Sequence, residues 1–174
     1  MRRINKRIVN NCCSWVMCML LGIFISSLSQ AGDIADAAMA GDFGQVDALI
    51  GQGIDVNEPQ VDGNTALHWA ARFDDLDMAS NLMAAGADVA ATNRVLAPPM
   101  LLAAINGSAA MIKLFLDHGA DPNAPLSQTG DTPLMISART GLPEAVTVLL
   151  DANADVNTRE SWGGGTALMY AVSE

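Results

Sequence analysis

Thr65-Ala66-Leu67-His68-Trp69-Ala70-Ala71 reads as the start of a short helix that packs closely on another. Thr65 can cap that helix with its hydroxyl. His68, three residues on, is near enough to hydrogen-bond back within the turn. The Ala70-Ala71 pair lets a second helix approach. Working outward, the pair recurs as Ala37-Ala38, Ala103-Ala104, Ser137-Ala138 and Ala171-Val172. Successive pairs lie 33, 33, 34 and 34 residues apart. A second marker keeps step: Gly53-Ile54-Asp55-Val56-Asn57, Gly86-Ala87-Asp88-Val89-Ala90, Gly119-Ala120-Asp121-Pro122-Asn123 and Asn153-Ala154-Asp155-Val156-Asn157. Two markers in register define an internal repeat. Between them lie apolar trios at i, i+3, i+4: Val46, Leu49, Ile50; Ala79, Leu82, Met83; Ile112, Phe115, Leu116; Val146, Leu149, Leu150. That spacing puts each trio on one face of a helix. The Gly after each such helix supplies a left-handed stop, and Asn153 replaces it once. Helices this short hold only by burying an apolar face on a neighbour.

The motif resembles the ankyrin-repeat family. Residues 65–71 are similar to its T-P-L-H-x-A-A signature, and Thr132-Pro133-Leu134 and Thr166-Ala167-Leu168 repeat its start. Pro133 suits the first helical position, where its missing N–H costs nothing. The resemblance runs from Asp33 to the last residue. It implies an all-α solenoid of stacked helix-turn-helix pairs with projecting β-turns and a curved outline. The repeats are placed at 33–61, 62–94, 95–128 and 129–162, with a truncated fifth at 163–174. The wider pattern also resembles exported bacterial ankyrin-repeat proteins.

Residues 1–31 read as a secretory signal peptide. Arg2, Arg3, Lys6 and Arg7 form a basic start, Cys12 to Leu28 an apolar run, and Ser29-Gln30-Ala31 a small-residue exit. Cleavage is expected between Ala31 and Gly32. A retained membrane anchor is the alternative reading, although the run is short for a span. The chain would then be exported, to the periplasm of a Gram-negative bacterium or otherwise secreted. The three cysteines all lie in this leader, so the remainder, 32–174, has no disulfide, thiol nucleophile or cysteine metal ligand. The remainder keeps five basic and all nineteen acidic residues, a formal charge of −14. Such a charge repels phosphate backbones and anionic lipid heads. Nucleic acid and, after leader removal, membrane are therefore not expected as partners. A basic or apolar protein surface is.

Catalytic and ligand chemistry finds little support. His68 and His118 occupy different repeat positions, with no ligand cluster around either. His118 precedes Gly119 and can interact with its helix C-terminus. Gly163-Gly164-Gly165 lacks the Lys-Ser or Lys-Thr of a phosphate loop. Asp74, Asp75 and Asp77 read as a solvated helix start favoured by the dipole, without calcium-loop spacing. No cofactor, metal or catalytic residue is expected.

Departures from the repeat point elsewhere. Leu96 stands where the turn Gly belongs, and Pro98-Pro99 replaces Thr-Pro. The cap hydroxyl is lost, the turn is expected to take another backbone shape, and Val95 and Leu96 have two readings, drift or an apolar tip for a partner. Asn81 replaces an apolar residue and is expected to be partly solvated or bonded locally. The turns before Thr132 and Thr166 are one residue longer, with tips Leu126-Ser127-Gln128-Thr129 and Glu160-Ser161-Trp162-Gly163 expected at the surface. Leu168, Tyr170 and Val172 are expected to lie uncovered, as in a fragment or truncated product.

The resemblance places partner-reading positions in the turns and just after the Ala pair. Here those are Val61, Asp62, Asn64, Arg72 and Phe73, then Arg94, Val95, Ile105 and Asn106, then Asp131, Arg139, Thr140 and Trp162. Trp162 at a turn tip is a hot-spot candidate. Two functions are carried forward. One is a non-catalytic protein-binding module of an exported protein. The other is the interaction region of a longer protein whose catalytic domain lies beyond residue 174.

Overall fold

The computed structural model describes residues 33–172, within a unit spanning Gly32–Glu174. The expected leader, the cleavage site expected at Ala31 and Gly32, and residues 173–174 lie outside the described residues. Among the described residues there are nine helices and no strand: α1 (Asp33–Ala40), α2 (Phe43–Gly51), α3 (Ala66–Phe73), α4 (Leu76–Ala84), α5 (Pro99–Asn106), α6 (Ala109–Asp117), α7 (Pro133–Thr140), α8 (Pro143–Asp151) and α9 (Ala167–Val172). They alternate. The odd-numbered first helices stack in one row, the even-numbered second helices in another, and each first helix packs on the second helix that follows it.

The small-residue pairs explain the first row. Ala37, Ala38, Ala70, Ala71, Ala103, Ala104 and Ser137 are all buried where the first helices pack on one another. The second row is held by the apolar trios. Val46, Leu49, Ala79, Leu82, Met83, Ile112, Phe115 and Leu149 are buried, each large side chain contributing about 1.5–3 kcal/mol. At the last position the trio opens: Leu150 is exposed. Asp42, Asp75 and Ser108 cap α2, α4 and α6 by accepting from Gln45, Met78 and Met111 amides. Each second helix is followed by a left-handed residue, Gly53, Gly86, Gly119 and Asn153, as expected. Asp74 also takes φ 56°, matching Gly41, Gly107 and Gly141 at the ends of the other first helices.

Four turns project between repeats. Backbone hydrogen bonds close them at Gln60 N–H to Asn64 O (2.8 Å), Asn93 to Ala97 (3.1 Å), Leu126 to Asp131 (2.7 Å) and Glu160 to Gly165 (3.1 Å). The last two are one residue longer, as expected.

Four expectations need correction. Leu96 keeps the backbone of the glycine it replaces: its φ is 61°, beside 87° at Gly63 and 81° at Gly130. The third repeat's turn therefore retains its shape and carries the strain of a left-handed leucine. Leu126 and Glu160 are buried rather than tips. Leu126 joins the core, and Glu160 turns inward to accept the amides of Trp162, Gly163 and Gly165. Asn81 is solvated, as expected, and its amide also reaches Asp47 Oδ1 of the preceding repeat at 3.3 Å. Tyr170 is half-buried against the core, with its ring beside Gly165, whereas Leu168 and Val172 are exposed.

Candidate protein-binding face

The candidate positions form one side of the stack because each sits at the same place in its repeat. Arg72, Ile105 and Arg139 follow the small pairs on α3, α5 and α7, and Met39 takes that place on α1. Phe73, Asn106 and Thr140 come next. Val61, Asp62, Asn64, Arg94, Val95, Asp131 and Trp162 lie in the turns.

The apolar members stand out into solvent. Val61 is 82% exposed, Val95 65%, Phe73 51%, Ile105 50% and Trp162 91%. Phe73 does not fold back into the core. It stacks on Trp69 with ring centroids 6.0 Å apart and planes 27° from parallel. The Arg72 guanidinium lies 6.0 Å from the Trp69 ring centre, within the range of a cation–π contact. Trp69 is half-buried, and its indole N–H donates to Gln60 Oε1 at 2.7 Å. Gln60 in turn donates to Asp36 and to Met39 Sδ. Asp36, Met39, Gln60, Val61, Asp62, Trp69 and Arg94 line a groove of about 460 Å³.

The polar members largely build the scaffold. Asp62 accepts from the Asn64 backbone and side-chain amides at 3.0 and 2.7 Å. Asn64 Oδ1 accepts from Asn93 Nδ2 of the next turn at 2.9 Å. Asn106 Nδ2 donates to the Ala71 and Arg72 carbonyls of the preceding first helix, at 3.0 and 3.2 Å. Asp131 accepts from the Ser127 and Thr129 hydroxyls. Despite partial burial, these bonds and the Arg139 charge hold its carboxyl below the usual range. Thr140 donates to the Ser137 carbonyl at 2.7 Å. Arg94 and Arg139 are exposed. The arrangement thus separates projecting apolar and arginine side chains from amides and carboxylates that hold the turns.

His68 is structural. It is buried, and its Nδ1 accepts the Thr65 N–H at 3.1 Å. That leaves Nε2 to carry the proton and donate to the Ala97 carbonyl in the next turn at 3.0 Å. Burial lowers its pKa, partly offset by that bond and by Asp62. The neutral ring therefore links two repeats. His118 Nδ1 lies 2.8 Å from the Leu114 carbonyl in the last turn of α6. Among the described residues no group of three or more His, Cys, Asp or Glu side chains could hold a metal. No helix among them is long and apolar enough to cross a membrane.

Sequence reasoning missed Trp69, Gln60 and Met39. Trp69 was legible, since it lies four residues before Phe73 and so on the same helix face. Gln60 was not, because its role depends on groups in three other places. Also unforeseen was an apolar groove of about 470 Å³ beside α8 and α9, lined in part by Leu142, Val146, Leu150, Val156 and Leu168.

A row of helical hairpins with projecting turns defines a repeat-stack scaffold of the kind that binds proteins. The chain belongs to the ankyrin-repeat family. Models described as ankyrin repeats match residues 34–82 (many copies) and 100–174 (three copies). Zygote-specific protein 3 of Chlamydomonas reinhardtii is 43% identical over 79 residues, which are 45% of this chain and 21% of that protein. Palmitoyltransferase ZDHHC13 of Homo sapiens and of Pongo abelii are each 35% identical over 91 residues, which are 52% of this chain and 15% of theirs. The match is a minor part of each relative's length.

Proposed function

We propose that residues 32–174 form a non-catalytic protein-binding module of an exported protein. It grips its partner through the turn tips and the exposed side of the first helices. The observation that carries this reading is the exposure of Val61, Phe73, Val95, Ile105 and Trp162 in the turns and at the ends of the first helices. Large apolar side chains held there by a rigid scaffold are the anchors that binding surfaces use. The acidic surface favours a basic or apolar partner. The test is affinity capture of partners from the native source by the whole protein. Phe73→Ala and Trp162→Ala should each weaken capture while leaving the helical signal unchanged. If both variants unfold, these residues belong to the core and the surface assignment is wrong. Export carries its own test: mass spectrometry of the exported product should find Gly32 at its N-terminus, and an intact Met1 would contradict cleavage.

A second reading makes the repeats the interaction region of an enzyme. It is favoured by the similarity to a palmitoyltransferase whose matched segment is 15% of its length. The complete reading frame decides: further repeats favour the module alone, and a domain with clustered His, Asp or Ser favours the enzyme.

A further inference from the structure

The chain has eleven asparagines, and one of them, Asn106, is followed by glycine. Asn-Gly is the step most open to spontaneous loss of the side-chain amide, because glycine has no Cβ to hinder its own nitrogen. In that reaction the Gly107 nitrogen gives up its proton and bonds to Asn106 Cγ. The Cγ–Nδ2 bond breaks, and Nδ2 leaves as ammonia. Water then opens the resulting five-membered imide at either of its two carbonyls. One product is aspartate. The other is isoaspartate, whose main chain runs through the former side chain and is one atom longer.

Stacking holds both reacting groups. Asn106 is exposed to water at the end of α5. Its Nδ2 nevertheless reaches the second repeat, donating to the Ala71 and Arg72 carbonyls at 3.0 and 3.2 Å. Those bonds aim the side chain at α3 and away from the nitrogen that would attack it. That nitrogen is engaged as well: the Gly107 N–H donates to the Ala104 carbonyl at 3.1 Å and also to Ala103. From the other side, Leu142 of the fourth repeat presses on Gly107. A Cβ at residue 107 would overlap Leu142 Cδ1 and lie 3.1 and 3.2 Å from its Cγ and Cβ. Gly107 also has a φ of 64°, so glycine is required there twice over. The labile pair is therefore one that the stack itself demands: an amide to reach back, and a glycine to admit the next repeat.

We propose that Asn106 is a site of spontaneous deamidation that stacking holds off, and that it reacts only when α5 leaves α3 and Leu142. The rate in the folded protein then follows the fraction of molecules open at this point. The product cannot close as before. A carboxylate has no N–H to give the Ala71 and Arg72 carbonyls, and its charge faces their oxygens. Isoaspartate also moves Gly107 out of the place that admits Leu142. The site thus turns a transient opening between repeats into a permanent one. The inference is independent of what the protein binds.

The test is peptide mapping by mass spectrometry of the full chain held at mildly alkaline pH, in native buffer and in guanidinium chloride. In denaturant, Asn106 should exchange its amide for a carboxyl faster than any other asparagine. In buffer the same exchange should be slower by roughly tenfold or more, as local opening limits it. Equal rates in the two samples overturn the proposal, and so does an unreactive Asn106 in denaturant. Leu142→Ala removes one side of the clamp and leaves the Asn-Gly pair intact. It should speed the reaction in buffer by about threefold or more, with circular dichroism showing that it remains folded. An unchanged rate in the folded variant overturns the clamp, and the comparison on the parent chain decides even where the variant unfolds. Asn106→Asp makes one product directly. Its α5 amide hydrogens should exchange faster than the parent's, and unchanged exchange contradicts a permanent opening.

Discussion

The first turn (60–64) and the second (93–97) follow the same path with different residues at the critical point. Gly63 has φ 87°, and a Cβ there would lie 2.8 Å from the Arg94 amide nitrogen and 2.9 Å from Asn93 Cα. It is a glycine for two reasons: backbone conformation and the close approach of the next turn. Leu96 shares the left-handed backbone, but no backbone hydrogen bond draws the third turn onto it. The difference shows that turn shape is set by the chain entering and leaving it. A glycine becomes indispensable only where a neighbour presses against it. A freed position can carry an apolar side chain outward at the cost of strain.

The comparison can be broken in several places. The largest effect is expected at Gly63→Ala, which meets both the left-handed strain and the clash; it should destabilise by roughly 3 kcal/mol, measured by urea unfolding. His68→Leu should cost about 2 kcal/mol, since it leaves the Ala97 carbonyl and Thr65 amide unpaired. It also has a pH signature. Burial lowers the pKa of His68 in the folded state, so the unfolded chain binds the proton first as pH falls. Stability should therefore be full above about pH 6.5 and decline below it. The decline should be weaker in His68→Leu, and an identical slope would mean that the ring is not titrating as described.

A smaller loss, about 1–1.5 kcal/mol, is expected for Asn93→Ala. That side chain accepts the Val95 and Ala97 amides and donates to the first turn. The comparison extends to the longer fourth turn through Glu160, whose carboxyl is held below its ordinary range by the Gly165, Trp162 and Gly163 amides, against an opposing effect of burial. A depressed carboxylate stabilises above its unfolded pKa and loses that contribution as pH falls through the folded one. Acidification below the usual carboxylate range should loosen the turn and shift Trp162 emission, and Glu160→Gln should show the loosened emission at neutral pH.

Much of the fold was legible because two periodic markers repeat with a helical pattern between them. Small pairs and apolar trios report burial directly, and the left-handed stops follow from Gly and Asn chemistry. The turns were harder. Leu96 was read as forcing a new shape, since propensity alone disfavours a left-handed leucine, and the flanking structure overrode it. Leu126 and Glu160 were read as tips, because loop residues usually face water. One instead completes the core, and the other satisfies three amides at once. Of the candidate face, the projecting residues could be placed by register alone. The division of labour could not, because Asn64, Asn106 and Asp131 find partners only once repeats are stacked.

The most direct test of this account is thermal unfolding of Leu96→Gly. Relief of a left-handed leucine is worth about 1–2 kcal/mol, and the added freedom of glycine in the unfolded chain takes back about 0.4–1 kcal/mol. A rise of roughly 2–4 °C in Tm is predicted. A fall in Tm would contradict the claim that the second turn keeps a glycine's backbone beneath a leucine side chain.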